Sequence, residues 1–260
     1  MKKTTTQFKK NPMSRIKLSE ISSTPPPNVE KSRLKKEFKD LCHELDDLQH
    51  LMYAQSKHSL LIILQGIDAA GKDGLIRDVF KSVNPLGVKA QPFKKPTDEE
   101  MAHDFLWRIH KHAPEKGMIQ IFNRSHYEDV LIQRVHEWID MDTVKERYVH
   151  INNFEKLLQA NGTHVLKFYL HVSHAEQLVR LKERLINPKK NWKYNPSDME
   201  EREHWDDYMK AYEDIFHYCS PEIPWTILPA DKNWYKEYLF AKKVVELMRS
   251  LNMKFPRLDD

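Results

Sequence analysis

The chain has 260 residues, 40% hydrophobic and 31% charged, which is enough apolar material for one sizeable core and hence for one domain. Its formal net charge is only +4, so a strong global field is excluded and any hold on an anion must come from locally clustered Lys and Arg. Cys42 and Cys219 stand far apart without metal-ligand spacing, no apolar signal core follows the start, and no run of about 18 apolar residues offers a membrane span, so a cytoplasmic, soluble protein with no membrane partner is expected.

Residues 1–29 are rich in Lys, Thr and Ser and close on Ser23-Thr24-Pro25-Pro26-Pro27, which predicts a flexible N-terminal arm ahead of a single domain over 30–260. From Glu30 to Gln55, Leu34, Phe38, Leu41, Leu45, Leu48 and Met52 recur at helical spacing among charges. Such a helix either packs on its own sheet or supplies an interface between identical copies in a homo-oligomer. Ser59 to Gln65 is almost wholly apolar, as in a parallel strand buried on both faces. A glycine loop and a helix around Leu75 to Val83 follow. Further strands are predicted at Gly87 to Phe93, Met118 to Phe122, His164 to His171 and Trp225 to Leu228, and a long helix from Ser197 to Cys219. This alternation predicts an α/β fold, a parallel sheet flanked by helices.

Gly66-Ile67-Asp68-Ala69-Ala70-Gly71-Lys72-Asp73-Gly74 puts G-x-x-x-x-G-K between a predicted strand and a predicted helix, the context of a phosphate-binding loop. Glycines let this backbone, with Ala69 and Ala70, wrap an anion with inward N–H groups, and Lys72 adds a mobile positive charge. The residue after the lysine, ordinarily Ser or Thr, is Asp73, and Asp68 lies within the loop. Two carboxylates beside a phosphate repel it unless a cation intervenes. One or two Mg2+ ions at Asp68 and Asp73 are therefore expected, with Mn2+ as a substitute. For Asp73 a second reading stays open, that of an acid favoured at a helix N-terminus.

The strand at Ile119 to Phe122 delivers Asn123-Arg124-Ser125-His126-Tyr127-Glu128-Asp129 to the carboxyl edge of the sheet, where α/β sheets bind ligands. Arg124 is the candidate phosphate clamp there. Between Arg180 and Lys193 six basic residues accompany one acid, and Pro188 ends the helix. Such a segment suits a lid over about 180–205, with Arg180, Arg184, Lys189, Lys190 and Lys193 along a polyanion; an ordinary solvated helix is the competing reading. Nucleic acid is not expected, because no interleaved aromatic platform is present, and Trp192 reads as a packing residue. Arg108, whose planar fork can pair two oxygens, and Lys94 are candidate phosphate ligands, Arg108 having a salt bridge with Asp104 as its alternative. Asp206 reads as the group orienting a lid arginine, and Trp107, Trp225 and Trp234 read as core. The histidines form no clean ligand triad, so no zinc site is expected.

Taken together, G-I-D-A-A-G-K-D-G, V-N-P-x-G, F-K-x-P-T, D-F-L-W-R and F-N-R-S-H-Y-E-D-V resemble the family-2 polyphosphate kinases. The motifs R-L-K-E-R-L, N-P-x-K-x-W-K, E-R-x-x-W-D-x-Y and A-D-K-N-W-Y extend the similarity nearly to the end of the chain. The resemblance implies a P-loop kinase fold similar to thymidylate kinase with a helical lid. It also implies Mg2+-dependent, reversible phosphoryl transfer between inorganic polyphosphate and a nucleotide. Asn123, where many members carry Asp, is the pattern of the class III enzymes, which accept both AMP and ADP; guanine nucleotides (GMP, GDP) are further candidate acceptors. On this resemblance Asp68, Lys72, Asn123, Arg124, Glu128 and Arg180 form the catalytic set. Lys94, Asp104, Arg108, Asn123, Glu128 and Arg134 would meet the nucleotide.

Two other readings compete. One is an ATP-dependent nucleoside monophosphate kinase of the same fold, and the other a non-catalytic phosphate-loop module, disfavoured by the coexistence of Asp68, Lys72 and Arg124. A GTPase is disfavoured because no N-K-x-D base-recognition motif occurs.

Overall fold

In the computed structural model, which describes residues 15–257, five strands lie parallel in the order β2-β3-β1-β4-β5. These are β1 (Ser59–Gln65), β2 (Val88–Pro92), β3 (Ile119–Asn123), β4 (Thr163–His171) and β5 (Trp225–Pro229). The helices in chain order are α1 (Lys31–Gln55), α2 (Lys72–Phe80), α3 (Asp98–Met101), α4 (Trp107–His110), α5 (Ile132–Val135), α6 (Met141–Ala160), α7 (His174–Ile186), α8 (Ser197–Glu201), α9 (Trp205–Tyr218) and α10 (Asn233–Ser250). Every residue of β1 is buried, which is why its sequence is a continuous apolar run rather than an alternating one.

Period-two alternation on β4 shows how the two faces are covered. Phe168 packs against Phe240 of α10 with ring centres 4.6 Å apart, whereas its neighbour Tyr169 meets Tyr212 of α9 at 4.4 Å. On the α10 side, α1 runs along α10 and buries Leu45 and Met52 completely, worth roughly 1.5–3 kcal/mol each. The chain leaves β1 to build β2 and β3 on one side and then crosses to β4 and β5 on the other. The loop after β1 thus lies where the strand order reverses, the place where open α/β sheets bind ligands.

Of the predicted flexible arm, residues 1–14 lie outside the described residues. Residues 15–29 are held against the domain. Leu18 is 2% exposed and its N–H donates to Glu213 Oε1 at 2.8 Å. His171 Nε2 donates to the Ile21 carbonyl at 3.0 Å, and Ser23 bonds to Asp231 through backbone and side chain. Prolines disfavour a helix but not docking, and Leu18 has an apolar slot to fill. The predicted long helix also needs correction: a 3-10 turn at Arg202–His204 separates α8 from α9, because α8 follows the Arg180 to Lys193 segment while α9 covers the sheet. Tyr208 Oη donates to Glu201 Oε2 at 2.7 Å across that break.

Candidate active site

The loop from Gly66 to Gly74 turns sharply out of β1. Gly66 has φ +154°, and a Cβ there would stand 3.1 Å from the Leu170 carbonyl, so the adjacent strand β4 excludes a side chain. Gly74, by contrast, opens into free space within α2 and is not demanded by the backbone. Lys72, only 8% exposed, folds over the loop and donates to the carbonyls of Gly66 at 2.6 Å and Ile67 at 3.3 Å. Burial, then the positive charge of Arg124, pushes its pKa down to about 8, so an anion entering the loop meets a cation in need of a partner.

Arg124, at φ +64° directly after β3, ion-pairs with Asp68 and, at 3.2 Å, with Glu128. The charge of Glu128, ahead of that of Asp68, outweighs burial and holds the guanidinium protonated well above its ordinary range. Gln65, the last residue of β1, is placed to donate to Glu128 Oε1 at 2.9 Å and to accept from Ser125 Oγ at 3.1 Å. Asn123 Nδ2 donates to Asp73 Oδ1 at 2.8 Å, and Lys193 Nζ reaches Asp73 Oδ2 at 2.6 Å. Burial works against the Asp73 charge, but the hydrogen bonds from Lys193 and Asn123 prevail and hold the carboxyl below its usual range. Asp73 is therefore both an acid in the first turn of α2 and the anchor of the basic segment.

That segment leaves α7 at Ile186, ahead of Pro188, and passes through a 3-10 turn at Asn191–Lys193 into α8. Arg184 donates to the Lys193 carbonyl at 3.2 Å and to Asp198 Oδ2 at 2.5 Å. Lys190 pairs with Glu183 at 2.6 Å, and Lys189 is exposed. Arg180 turns away from solvent to the loop itself, donating to the carbonyls of Ala69 and Ala70 at 3.2 and 3.1 Å. Gln177 Nε2 donates to the Asp68 carbonyl at 3.2 Å. A cavity between loop and α9 has Asp68, Arg124 and Glu128 on one wall and Trp205, Tyr208 and Tyr212 on the other.

Other predicted contacts differ. Arg108 is buried, pairs with Glu100 at 3.0 Å rather than with Asp104, donates to the Lys94 carbonyl at 2.8 Å and lies 5.2 Å from the Phe93 ring centre. Asp104 instead accepts from the Leu106 N–H at 2.9 Å, and the Lys94 side chain is exposed. Arg134 is engaged by Asp214 at 2.7 Å and Tyr148 at 3.2 Å, joining α5 to α9 and α6. Asp198, not the predicted Asp206, holds Arg184 of the basic segment. Trp225 is core, but Trp107 and Trp234 are only half-buried, and Trp192 is 77% exposed with Nε1 on the Lys189 carbonyl, so it packs against no core. The sequence reading also passed over Lys236, whose ammonium touches the loop from behind, and the buried pair Lys167–Glu155 at 2.7 Å.

Among the described residues no three His, Cys, Asp or Glu side chains gather into a closed metal site. Mg2+ ordinarily binds through one or two carboxylates plus substrate phosphates and keeps several waters. Asp68 and Asp73, flanking one phosphate loop with cations already paired to both, fit a metal that arrives with its phosphate.

The family model described as Polyphosphate kinase 2 (PPK2) matches residues 28–256. An AMP/ADP-polyphosphate phosphotransferase of Meiothermus ruber is 48% identical over 218 residues, covering 84% of this chain and 82% of the relative. An ADP-polyphosphate phosphotransferase of Rhodopseudomonas palustris is 44% identical over 225 residues, covering 82% of this chain and 78% of the relative. The crystal structure of Polyphosphate Kinase 2 from Arthrobacter aurescens TC1 superposes with a TM-score of 0.92 at 39% identity, over 98% of this chain and 95% of that one. With the family match spanning everything from α1 through α10, the chain belongs to the polyphosphate kinase 2 family.

Proposed function

We propose that the chain transfers phosphoryl groups reversibly between inorganic polyphosphate and adenine nucleotides, phosphorylating AMP to ADP and ADP to ATP, with Mg2+ or Mn2+ as cofactor. The observation that carries this reading is the interleaving of charges at the carboxyl ends of β1 and β3, where Lys72 and Arg124 meet Asp68, Asp73 and Glu128 around one anion loop. Cations alone would suit a phosphate store; acids beside them suit a reaction between two anions whose charge a divalent metal would neutralise. The breadth of acceptor rests on the Meiothermus ruber relative, named for both AMP and ADP.

A nucleotide phosphate is already anionic at neutral pH, so no general base has to make the nucleophile. Lys72 and the loop N–H groups hold the donor oxygens, and Arg124 spreads its charge over the group in transfer. When bound, the divalent cation supplies charge neutralisation between the phosphates, held through Asp68 with Asp73 nearby. Arg184 and Lys193 bring the basic segment over the loop, and the walls of Trp205, Tyr208 and Tyr212 exclude water.

The test is an incubation with Mg2+, AMP or ADP, and polyphosphate as the sole further phosphate source. ADP and ATP are expected to form; an absolute need for ATP as donor would favour the nucleoside monophosphate kinase. Asn123→Asp sets a carboxylate where an amide now bonds to Asp73 at 2.8 Å. It is expected to change the ratio of kcat/KM for AMP over ADP by about tenfold, the equivalent of one pKa unit of interaction. An unaltered ratio removes Asn123 from acceptor choice.

A further inference from the structure

The motif Ala230-Asp231-Lys232-Asn233-Trp234-Tyr235 has no part in the transfer outlined above, yet it opens α10 against the outer side of the phosphate loop. The next residue, Lys236, is 1% exposed. Its ammonium donates to the carbonyls of Gly71 at 3.2 Å and Ala70 at 3.4 Å and to Asn233 Oδ1 at 3.1 Å. Arg180 reaches the same stretch from α7: Nη1 donates to the Ala69 and Ala70 carbonyls, and Nη2 to those of Ala230 and Asp231 at 2.7 and 3.2 Å. A Cβ on Gly71 would stand 2.6 Å from Lys236 Nζ and 3.5 Å from Arg180 Nη1, so both cations converge on one point behind the loop.

The N–H and C=O of a peptide point in opposite directions. Tethering the carbonyls of Ala70 and Gly71 from outside therefore turns the attached amides of Gly71 and Lys72 toward the anion side, the orientation a phosphate cradle requires, whereas the Ala70 N–H closes a turn on the Ile67 carbonyl. Burying an ammonium among neutral oxygens is costly, and an anion across the loop offsets that cost. Burial, then the charge of Arg180, pushes Lys236 down to about 7, in keeping with a cation short of negative partners.

We propose that Lys236 is a positioning residue for phosphoryl transfer: it holds the loop carbonyls from behind and adds a positive charge beneath the bound donor phosphates without touching them. The inference rests on the reading of this loop as the polyphosphate site. A lysine that merely stabilised the fold would reduce the folded fraction when replaced and leave the KM of the folded enzyme alone.

The experiment measures KM for polyphosphate at saturating ADP, and KM for ADP at saturating polyphosphate, in the wild type, Lys236→Met, Lys236→Gln and Lys236→Arg, with circular dichroism as the check on folding. Met and Gln are expected to raise KM for polyphosphate by about tenfold, the scale of one lost charged hydrogen bond, and Arg to recover most of it. KM for ADP is expected to stay close to the wild-type value. Should Lys236→Met fail to fold, Lys236→Gln, which keeps a donor for the Gly71 carbonyl, carries the same expectation through the lost charge. An unchanged KM for polyphosphate in the folded variants overturns the role of Lys236 and leaves the polyphosphate reading standing. A wild-type enzyme that makes no ATP from polyphosphate overturns both.

Discussion

At the scale of single residues, the site is a contest between charge and burial. Lys72 is nearly enclosed, and its partners in the loop are backbone carbonyls, weaker acceptors for an ammonium than phosphate oxygens. Asp68 joins the loop to Arg124. Lys72→Ala and Asp68→Ala are each expected to lower kcat by about a hundredfold or more while the far-ultraviolet spectrum is retained, since they remove charge stabilisation made in transfer. Near-normal turnover in either variant would exclude that residue from the chemistry. Asp129, one position beyond Glu128, obeys a different rule. It is 9% exposed, and burial, eased by Arg147, pushes its carboxyl up to about 6. A folded-state pKa above the unfolded one means that the fold favours the protonated acid, so Asp129 costs stability as pH rises from about 4 through about 6. Asp129→Asn is therefore expected to exceed the wild type by about 1–3 kcal/mol in urea unfolding at about pH 8, and to lose that advantage below about pH 4. A difference that does not vary with pH would contradict the argument.

At the scale of elements, β4 carries two cores on alternate residues. Phe168 faces α10, while Lys167 and Tyr169 face the side covered by α6 and α9. Lys167 is fully enclosed, donating to Glu155 Oε2 of α6 at 2.7 Å, to Tyr127 Oη at 3.0 Å and to the Cys219 carbonyl. Tyr127 in turn donates to Glu155 Oε1 at 2.7 Å and belongs to the 3-10 turn His126–Val130 that carries Glu128. The ion pair thus ties the turn below the active site to the sheet. Lys167→Met would leave Glu155 buried without its cation, and a loss of about 3–5 kcal/mol in urea unfolding is expected. A loss well under about 1 kcal/mol would show that the enclosed network tolerates a bare carboxylate.

At the scale of the whole molecule, the net charge of +4 hides a concentration of cations around one loop, with Lys72, Arg124, Arg180 and Lys236 reaching it from four elements or their ends. A linear polyanion gripped there releases counterions, as a nucleic acid does. KM for polyphosphate is therefore expected to rise steeply, by an order of magnitude or more, between about 50 and 200 mM salt, with a smaller rise for AMP. Equal salt dependence for both substrates would argue against an extended polyphosphate track. Among the described residues no helix is long and apolar enough to cross a membrane.

The sequence by itself determined the sheet and its loop. β1 matches the apolar run Ser59–Gln65 residue for residue, because a strand buried on both faces and a glycine-lined bend leave signatures a few residues long, and the other strands agree to within a residue or two. It also brought Asp68, Lys72, Asn123, Arg124 and Glu128 to one edge, since all lie at the carboxyl end of β3 or in the loop, turn or helix start that follows β1 or β3. Which charge meets which was decided only by tertiary structure. Arg108 found Glu100 rather than Asp104, Arg184 found Asp198, and Arg180 and Lys236 bonded to carbonyls more than 100 positions away. Residues 15–29 docked although their composition favours no element, and one predicted helix split into α8 and α9 to serve two surfaces. The physical reason is range: backbone conformation answers to near neighbours, whereas a buried charge takes whichever partner the packed chain brings within about 3 Å.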